Sequence, residues 1–180
     1  MVNIFVMRCL YSSASLTQRW LVVLFGLMMV FAGCGDKLPE SSYDSIAAAK
    51  NAGAIDRGWI PDYLPASSYD IHEIHRLSSP TGWCSFKFAP VGTESFRDAL
   101  QASGSRTLTV SRIESPGTTW WPALLEGGID FKKLHDAGYE SYEIEKPDGT
   151  AMNRTFVYLF AVDWSKRQGF FYQTTRGSGH

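Results

Sequence analysis

Arg154-Thr-Phe-Val-Tyr-Leu-Phe-Ala-Val162 decides the fold. Successive side chains of a strand point to opposite faces. Here both sets are apolar, Phe156, Tyr158, Phe160 and Val162 alternating with Val157, Leu159 and Ala161. That pattern predicts a central strand. Just upstream, Tyr139 to Glu145 alternates apolar with polar, and Pro147-Asp-Gly149 is a turn signal. Just downstream, Ser165-Lys-Arg-Gln-Gly169 makes the next turn and Phe170-Phe-Tyr-Gln-Thr174 reads as the last strand. Three strands joined this way form an antiparallel meander.

Working outward toward the N-terminus, a short helix is expected over Ile129–Asp136, ended by Gly138. Trp120 to Leu125 reads as an aromatic-led turn or short helix, and Ser115-Pro-Gly-Thr-Thr119 as a loop. Arg106 to Ile113 alternates strictly, which predicts a strand with Leu108 and Val110 inward. Thr93 or Ser95 opens a helix to about Ala102, with Phe96, Ala99 and Leu100 on one face and Gly104 as its stop. Tyr69–Leu77 and Trp83–Phe88 are strands about the Ser78-Ser-Pro-Thr-Gly82 turn. Two prolines make Trp59-Ile-Pro-Asp-Tyr-Leu-Pro65 an extended segment. A helix is expected from about Tyr43 to Arg57, capped by Ser42 or Asp44 and ended by Gly58. The sum is α+β: an antiparallel sheet of about five strands ending in a three-stranded meander, with two or three short helices packed on one side.

The N-terminus has a different character. Arg8 and Arg19 precede the apolar run from Trp20 to Phe31, and no acidic residue occurs before Asp36. A positive flank, a short apolar core and small residues at the cut describe a secretory signal. The run from Trp20 to Gly33 is 14 residues, against roughly 20 for a spanning helix. Met7 is a second candidate start.

Phe31-Ala32-Gly33-Cys34 resembles the lipobox of bacterial lipoproteins, with Phe31 in place of the usual Leu. The resemblance implies removal of residues 1–33, a diacylglyceryl group on the Cys34 thiol and an acyl group on its amine. It implies a periplasm-facing, membrane-anchored protein; Gly35 after the cysteine favours the outer over the inner membrane. Residues 34–42 then form the lipidated cysteine and tether, 43–175 a single globular domain, and 176–180 a flexible tail.

From Cys34 onward 147 residues remain, enough for one domain with its own core. Without Arg8 and Arg19 the chain keeps 15 basic and 18 acidic residues, a net of −3, with the basic ones scattered. That is no footprint for nucleic acid. With Cys9 in the signal and Cys34 under lipid, only Cys84 is left, so an internal disulfide is impossible. Cys84 lies in a strand-like run and reads as a buried small apolar residue.

Three constellations carry candidate chemistry. His72-Glu-Ile-His75 has metal-ligating residue types, but strand residues three apart face opposite ways, so no metal is expected. Glu143 and Glu145 share a face about 7 Å apart, near the spacing of glycosidase carboxylate pairs. Tyr142 and Ile144 take the other face, so the glutamates most simply mark the solvent side. Trp59, Trp120 and Trp121 are the candidate binding surface. No nucleophile elbow, phosphate loop or dinucleotide fingerprint occurs, and neither a catalytic residue nor a cofactor is nominated.

Arg57-Gly-Trp-Ile-Pro-Asp-Tyr-Leu-Pro65 and Asp70-Ile-His-Glu-Ile-His75 resemble segments of uncharacterised small proteobacterial envelope proteins, a group that brings no known activity. The expected function is therefore a non-enzymatic, membrane-anchored module binding an envelope protein, of assembly, inhibitor or immunity type. The alternative is a binder or hydrolase directed at peptidoglycan or another glycan.

Overall fold

The computed structural model describes residues 38–105, 108–147 and 154–177. The signal segment and Cys34 lie outside the described residues.

Strand β8 (Arg154–Asp163) is an inner strand, paired on both edges, as its doubly apolar sequence requires. It pairs antiparallel with β7 (Glu140–Pro147) and β9 (Gln168–Gly177), placing Leu159 opposite Glu143 on one side and Tyr172 on the other. This is the expected meander. Beyond β9 lies β3 (Gly82–Phe88), then β2 (Ser68–His75) and β1 (Glu40–Tyr43) at the edge. The far edge is β4 (Gly104–Ser105), two residues paired with β7. The antiparallel sheet thus has six strands of four residues or more and a two-residue stub. β5 (Arg112–Ile113) and β6 (Gly127–Gly128) make a separate two-stranded ribbon.

Three short helices complete the α+β fold. In α1 (Ile46–Asn51) the Ser45 hydroxyl caps the first turn by accepting from the Ala48 N–H at 3.2 Å. In α2 (Thr93–Ser103) Phe96 and Leu100, four apart, face the core. In α3 (Phe131–Asp136) Asp130 caps by accepting from Lys133 N–H at 3.1 Å. A 3-10 turn covers Ala123–Leu125.

The helices do not share one side. Ala49 and Phe96 of α1 and α2 pack with Phe86, Phe160 and Phe171 on one face; Leu134 of α3 packs with Trp83, Leu159, Phe170, Trp121 and Leu125 on the other. The expectation of helices on one side fails for a physical reason. β3, β8 and β9 carry large apolar side chains on both faces, and each face needs cover.

Three boundaries also move. Glu40–Tyr43, expected as the end of a tether and the start of a helix, pairs instead with Ile74–Ile71 of β2. Of the expected strand over Arg106–Ile113, residues 106 and 107 lie outside the described residues and 108–111 are not strand, leaving Arg112–Ile113, although Val110 is buried as anticipated. β9 continues through Arg176, expected in a flexible tail, which sits opposite Thr155. Gly169 in β9 explains one tight packing: a Cβ there would come within 2.4 Å of the Phe86 ring. At Asp70 a left-handed residue (φ 49°) and a bulge between Tyr69 and His72 reset the alternation of β2. Beyond the bulge Ile71, Glu73 and His75 face α1 and α2, whereas His72 and Ile74 face the other way.

Candidate functional site

At the end of the sheet where β2 turns into β3, a cleft of about 620 Å³ opens on the α1 side. Its walls are the turn after α1 (Ile55–Trp59), the β2–β3 hairpin loop (Arg76–Thr81) and the end of β7 at Lys146 and Pro147. Gly82, Gln173, Phe156 and Tyr158 form the floor. Gly82 suits that place, because a strand residue without a side chain leaves space above the sheet.

Trp59 anchors one wall. Its ring stacks on His75 with centroids 3.7 Å apart and planes 19° from parallel. The Arg57 guanidinium lies 3.9 Å from the same ring centroid. Two groups that close to one centroid must occupy opposite faces, so neither face of Trp59 is free. Arg57 also donates to the Ala52 carbonyl at 2.7 Å and pairs with no carboxylate among the described residues. Arg76 pairs with Glu114 at 2.6 Å and Lys146 with Asp62 at 3.5 Å.

Below Trp59, His75 Nδ1 and Glu73 Oε1 are 2.5 Å apart, both residues buried. Burial pushes Glu73 up to about 8 and, with the charge of Arg57 as a smaller contribution, holds His75 below its ordinary value. Both shifts favour uncharged forms, so the pair shares one proton and stays neutral overall. An ionised carboxylate accepting from Nδ1–H would make the histidine a general base, but a protonated Glu73 donates to Nδ1 and leaves the imidazole proton on Nε2. A base needs a nucleophile. Cys84, opposite Glu73 in the register, is fully buried, and burial with the nearby Glu73 charge pushes its thiol well up. That sulfur is an inert core group. The Ser79 hydroxyl donates to Thr81.

Polar atoms in the cleft lining and beneath it have unmet bonding capacity. Gln173, 6% exposed, has no partner for Oε1, and neither Glu73 Oε2 nor Arg76 Nε has one. Such atoms in a buried setting cost free energy unless something fills the space beside them.

The three tryptophans do not form one surface. Trp59 lies on the cleft side, and Trp120 and Trp121 pack on the opposite face. Trp121 is core, 4% exposed, its Nε1–H donating to the Leu125 carbonyl at 3.4 Å. Trp120 is half-buried, donates to Glu40 at 2.7 Å and stacks on His72 at 5.9 Å, fastening β1 to the loop. His72 and His75 point to opposite faces as the spacing predicts. No group of three His, Cys, Asp or Glu among the described residues is placed to hold a metal.

Glu143 overturns its solvent-side reading. It is fully buried, and its carboxylate accepts from Thr109 N–H at 2.6 Å, the Thr109 hydroxyl at 2.5 Å and Val110 N–H at 2.9 Å. Arg176 approaches at 3.2 Å and also pairs with the half-exposed Glu145. Burial alone would raise the Glu143 carboxyl, but the hydrogen bonds and Arg176 outweigh it and hold it below the usual range. Glu143 fastens the 108–110 segment, and no lone pair is directed at an open site.

The Glu73–His75 pair was within reach of the sequence, since residues two apart on a strand share a face. Gln173 had no such signal, because its role depends on β9 crossing beneath the β2–β3 hairpin.

Residues 39–87 match the family model of the YbbD head domain, a bacterial envelope-associated family. The match takes in β1, α1, β2 and β3 up to Lys87, with Trp59 and His75 of the cleft and Glu73 beneath them, and stops before Lys146 and Gln173. No curated protein and no solved structure matches the chain. No helix among the described residues is long and apolar enough to cross a membrane. Through residues 39–87 the chain is similar to a family of the bacterial envelope.

Proposed function

We propose that the chain is a lipid-anchored, periplasm-facing envelope protein that acts by binding another envelope protein and not by catalysis. One observation carries the reading: the side chains with chemistry to offer are spent inside the fold. Glu143 holds Thr109 and Val110, Glu73 holds His75, Asp163 accepts from Ser165 and Lys166, and Cys84 is sealed in the core. The glycan-hydrolase alternative loses support with Glu143, because a carboxylate already accepting three hydrogen bonds is poorly placed to attack or protonate a substrate. The similarity of residues 39–87 to an envelope-associated family and the resemblance of Phe31-Ala32-Gly33-Cys34 to a lipobox support the location.

Of the expected aromatic surface, Trp120 keeps an accessible edge beside β1. The test is crosslinking of the tagged protein in its native envelope, with Cys34→Ser and Trp120→Ala versions beside it. One protein captured in near-equal amount, and lost with Trp120→Ala, supports the reading. Capture of bulk lipoproteins or peptidoglycan fragments alone sinks it.

A further inference from the structure

We infer that the β2–β3 hairpin tip and the cleft behind it rest against the bilayer and take a phospholipid headgroup, its phosphate on Arg57 and its hydrogen-bond donor on Gln173. The inference rests on the reading of Cys34 as the anchor and names what the cleft does in that setting.

Chain length gives the first argument. β1 begins at Glu40, six residues after Cys34, and six extended residues reach about 20 Å at most. Register gives the second. Glu40 lies opposite Ile74, next to His75 and the hairpin loop, so the sheet is entered at its cleft end. An anchor at Cys34 holds that end toward the membrane and leaves Val91, beyond the other end of β3, pointing away.

The surface chemistry at the near end agrees. Leu77, at the hairpin tip, is 82% exposed, the most exposed of the large apolar side chains described. Beside it stand the cations Arg57, Arg76 and Lys146, with Asp56 on the same lining. Glu114 and Asp62 already pair with Arg76 and Lys146, so the site is balanced in charge and not strongly basic. It offers Arg57 to an anion, and it offers the unpartnered Oε1 of Gln173, itself more than nine-tenths buried, to a donor. A phosphate ester that carries an ammonium or hydroxyl group satisfies both. An apolar residue flanked by cations is the composition of an interfacial contact. A sugar ring is a poorer occupant, because both faces of Trp59 are covered. The volume of about 620 Å³ lies in the range of small-ligand sites.

The headgroup donor supplies the test, since phosphatidylcholine has the phosphate but no N–H or O–H. Full-length protein purified from membranes is placed in bilayer discs of phosphatidylcholine alone or of phosphatidylcholine mixed with phosphatidylethanolamine. Hydrogen exchange is followed over residues 76–82, with the segment around Val91 as reference. The expected result is exchange of the hairpin at least about tenfold slower in the mixed discs, with Val91 unchanged. Arg57→Gln and Gln173→Leu should each erase the difference, and Leu77→Ser should weaken protection in both discs. Arg57 is exposed, so its variant carries the test if Gln173→Leu fails to fold. Equal exchange in the two discs, or protection at Val91 in place of the hairpin, overturns the inference. Intact mass separates the two readings. An unacylated Cys34 with a protected hairpin refutes the anchor alone, and an acylated Cys34 with an unprotected hairpin refutes the headgroup site alone.

Discussion

Replacing Glu143 by Leu should destabilise the protein by about 3 kcal/mol, most of it from backbone groups left without partners. The carboxylate accepts from two main-chain N–H groups and one hydroxyl, and Arg176 completes its shell. The Val110 N–H is buried, so its loss costs the full desolvation penalty of about 1–3 kcal/mol. Thr109 is exposed enough for water to replace part of its bonding, which adds about 1 kcal/mol. Urea unfolding followed by tryptophan fluorescence measures the change, and in a domain of this size 1 kcal/mol moves the melting point by about 2–4 °C. Glu145→Leu is the internal control. It removes a half-exposed partner of the same arginine and should cost less than about 1 kcal/mol.

The pH dependence adds a second reading of the same group. The Glu143 carboxyl is held below its ordinary value of 4.5 when folded. Its stabilisation is therefore fully present above 4.5 and is lost as pH falls through the folded value. The wild-type advantage over Glu143→Gln should be constant near neutrality and shrink below pH 4.5. A Glu143→Leu cost no larger than that of Glu145→Leu, or an advantage over Glu143→Gln that grows on acidification, would refute the assignment of this carboxylate as the fastener of residues 108–110.

Four further outcomes follow from the packing. Gly169→Ala drives a methyl group into the Phe86 ring and should cost about 1–3 kcal/mol in urea unfolding; an unchanged midpoint would show that the ring moves freely. Glu73 is raised to about 8, so the protonated form stabilises the fold below 4.5 and that contribution fades as pH rises through 8. Glu73→Gln should therefore gain on the wild type between pH 4.5 and 8, and a flat difference across that window would count against the buried pair. Trp121→Ala should cost about 3–5 kcal/mol and Trp120→Ala clearly less, because only Trp121 is sealed in the core; equal losses by thermal melts would contradict that placement. Cys84 should resist alkylation at neutral pH until the protein unfolds, and labelling of the native state, read by mass, would place the thiol elsewhere.

Periodicity carried most of the sheet. The strands β2, β3 and β7 and the doubly apolar β8 were legible, and Gly104 ends its helix as expected, whereas the first helix, expected over Tyr43–Arg57 behind Ser42 or Asp44, is only Ile46–Asn51 and is capped by Ser45. The same rules failed over residues 108–111, where strict alternation predicts a strand. The N–H groups of Thr109 and Val110 find a glutamate side chain in place of a neighbouring strand, and sequence period cannot register that competition. It failed again at Glu40–Tyr43, whose polar residues resemble a linker and become a strand because β2 offers an open edge. The candidate site was half legible. His72-Glu-Ile-His75 drew notice for metal chemistry, yet its use is a proton shared between residues two apart. The other half, Gln173, comes from a strand almost a hundred residues later.

That distance bears on how the molecule is assembled in time. Cys84 in β3 waits for Phe171 in β9, the last of the described strands. Until β9 is in place, β1, β2 and β3 are an unfinished ribbon, apolar on both faces of β3 and with no neighbour along its inner edge. Closing the intervening loop is slow, because such a connection is paid in chain entropy before any contact repays it. Truncation before residue 168 should yield an aggregating fragment, even though the family-matched segment would be present in full.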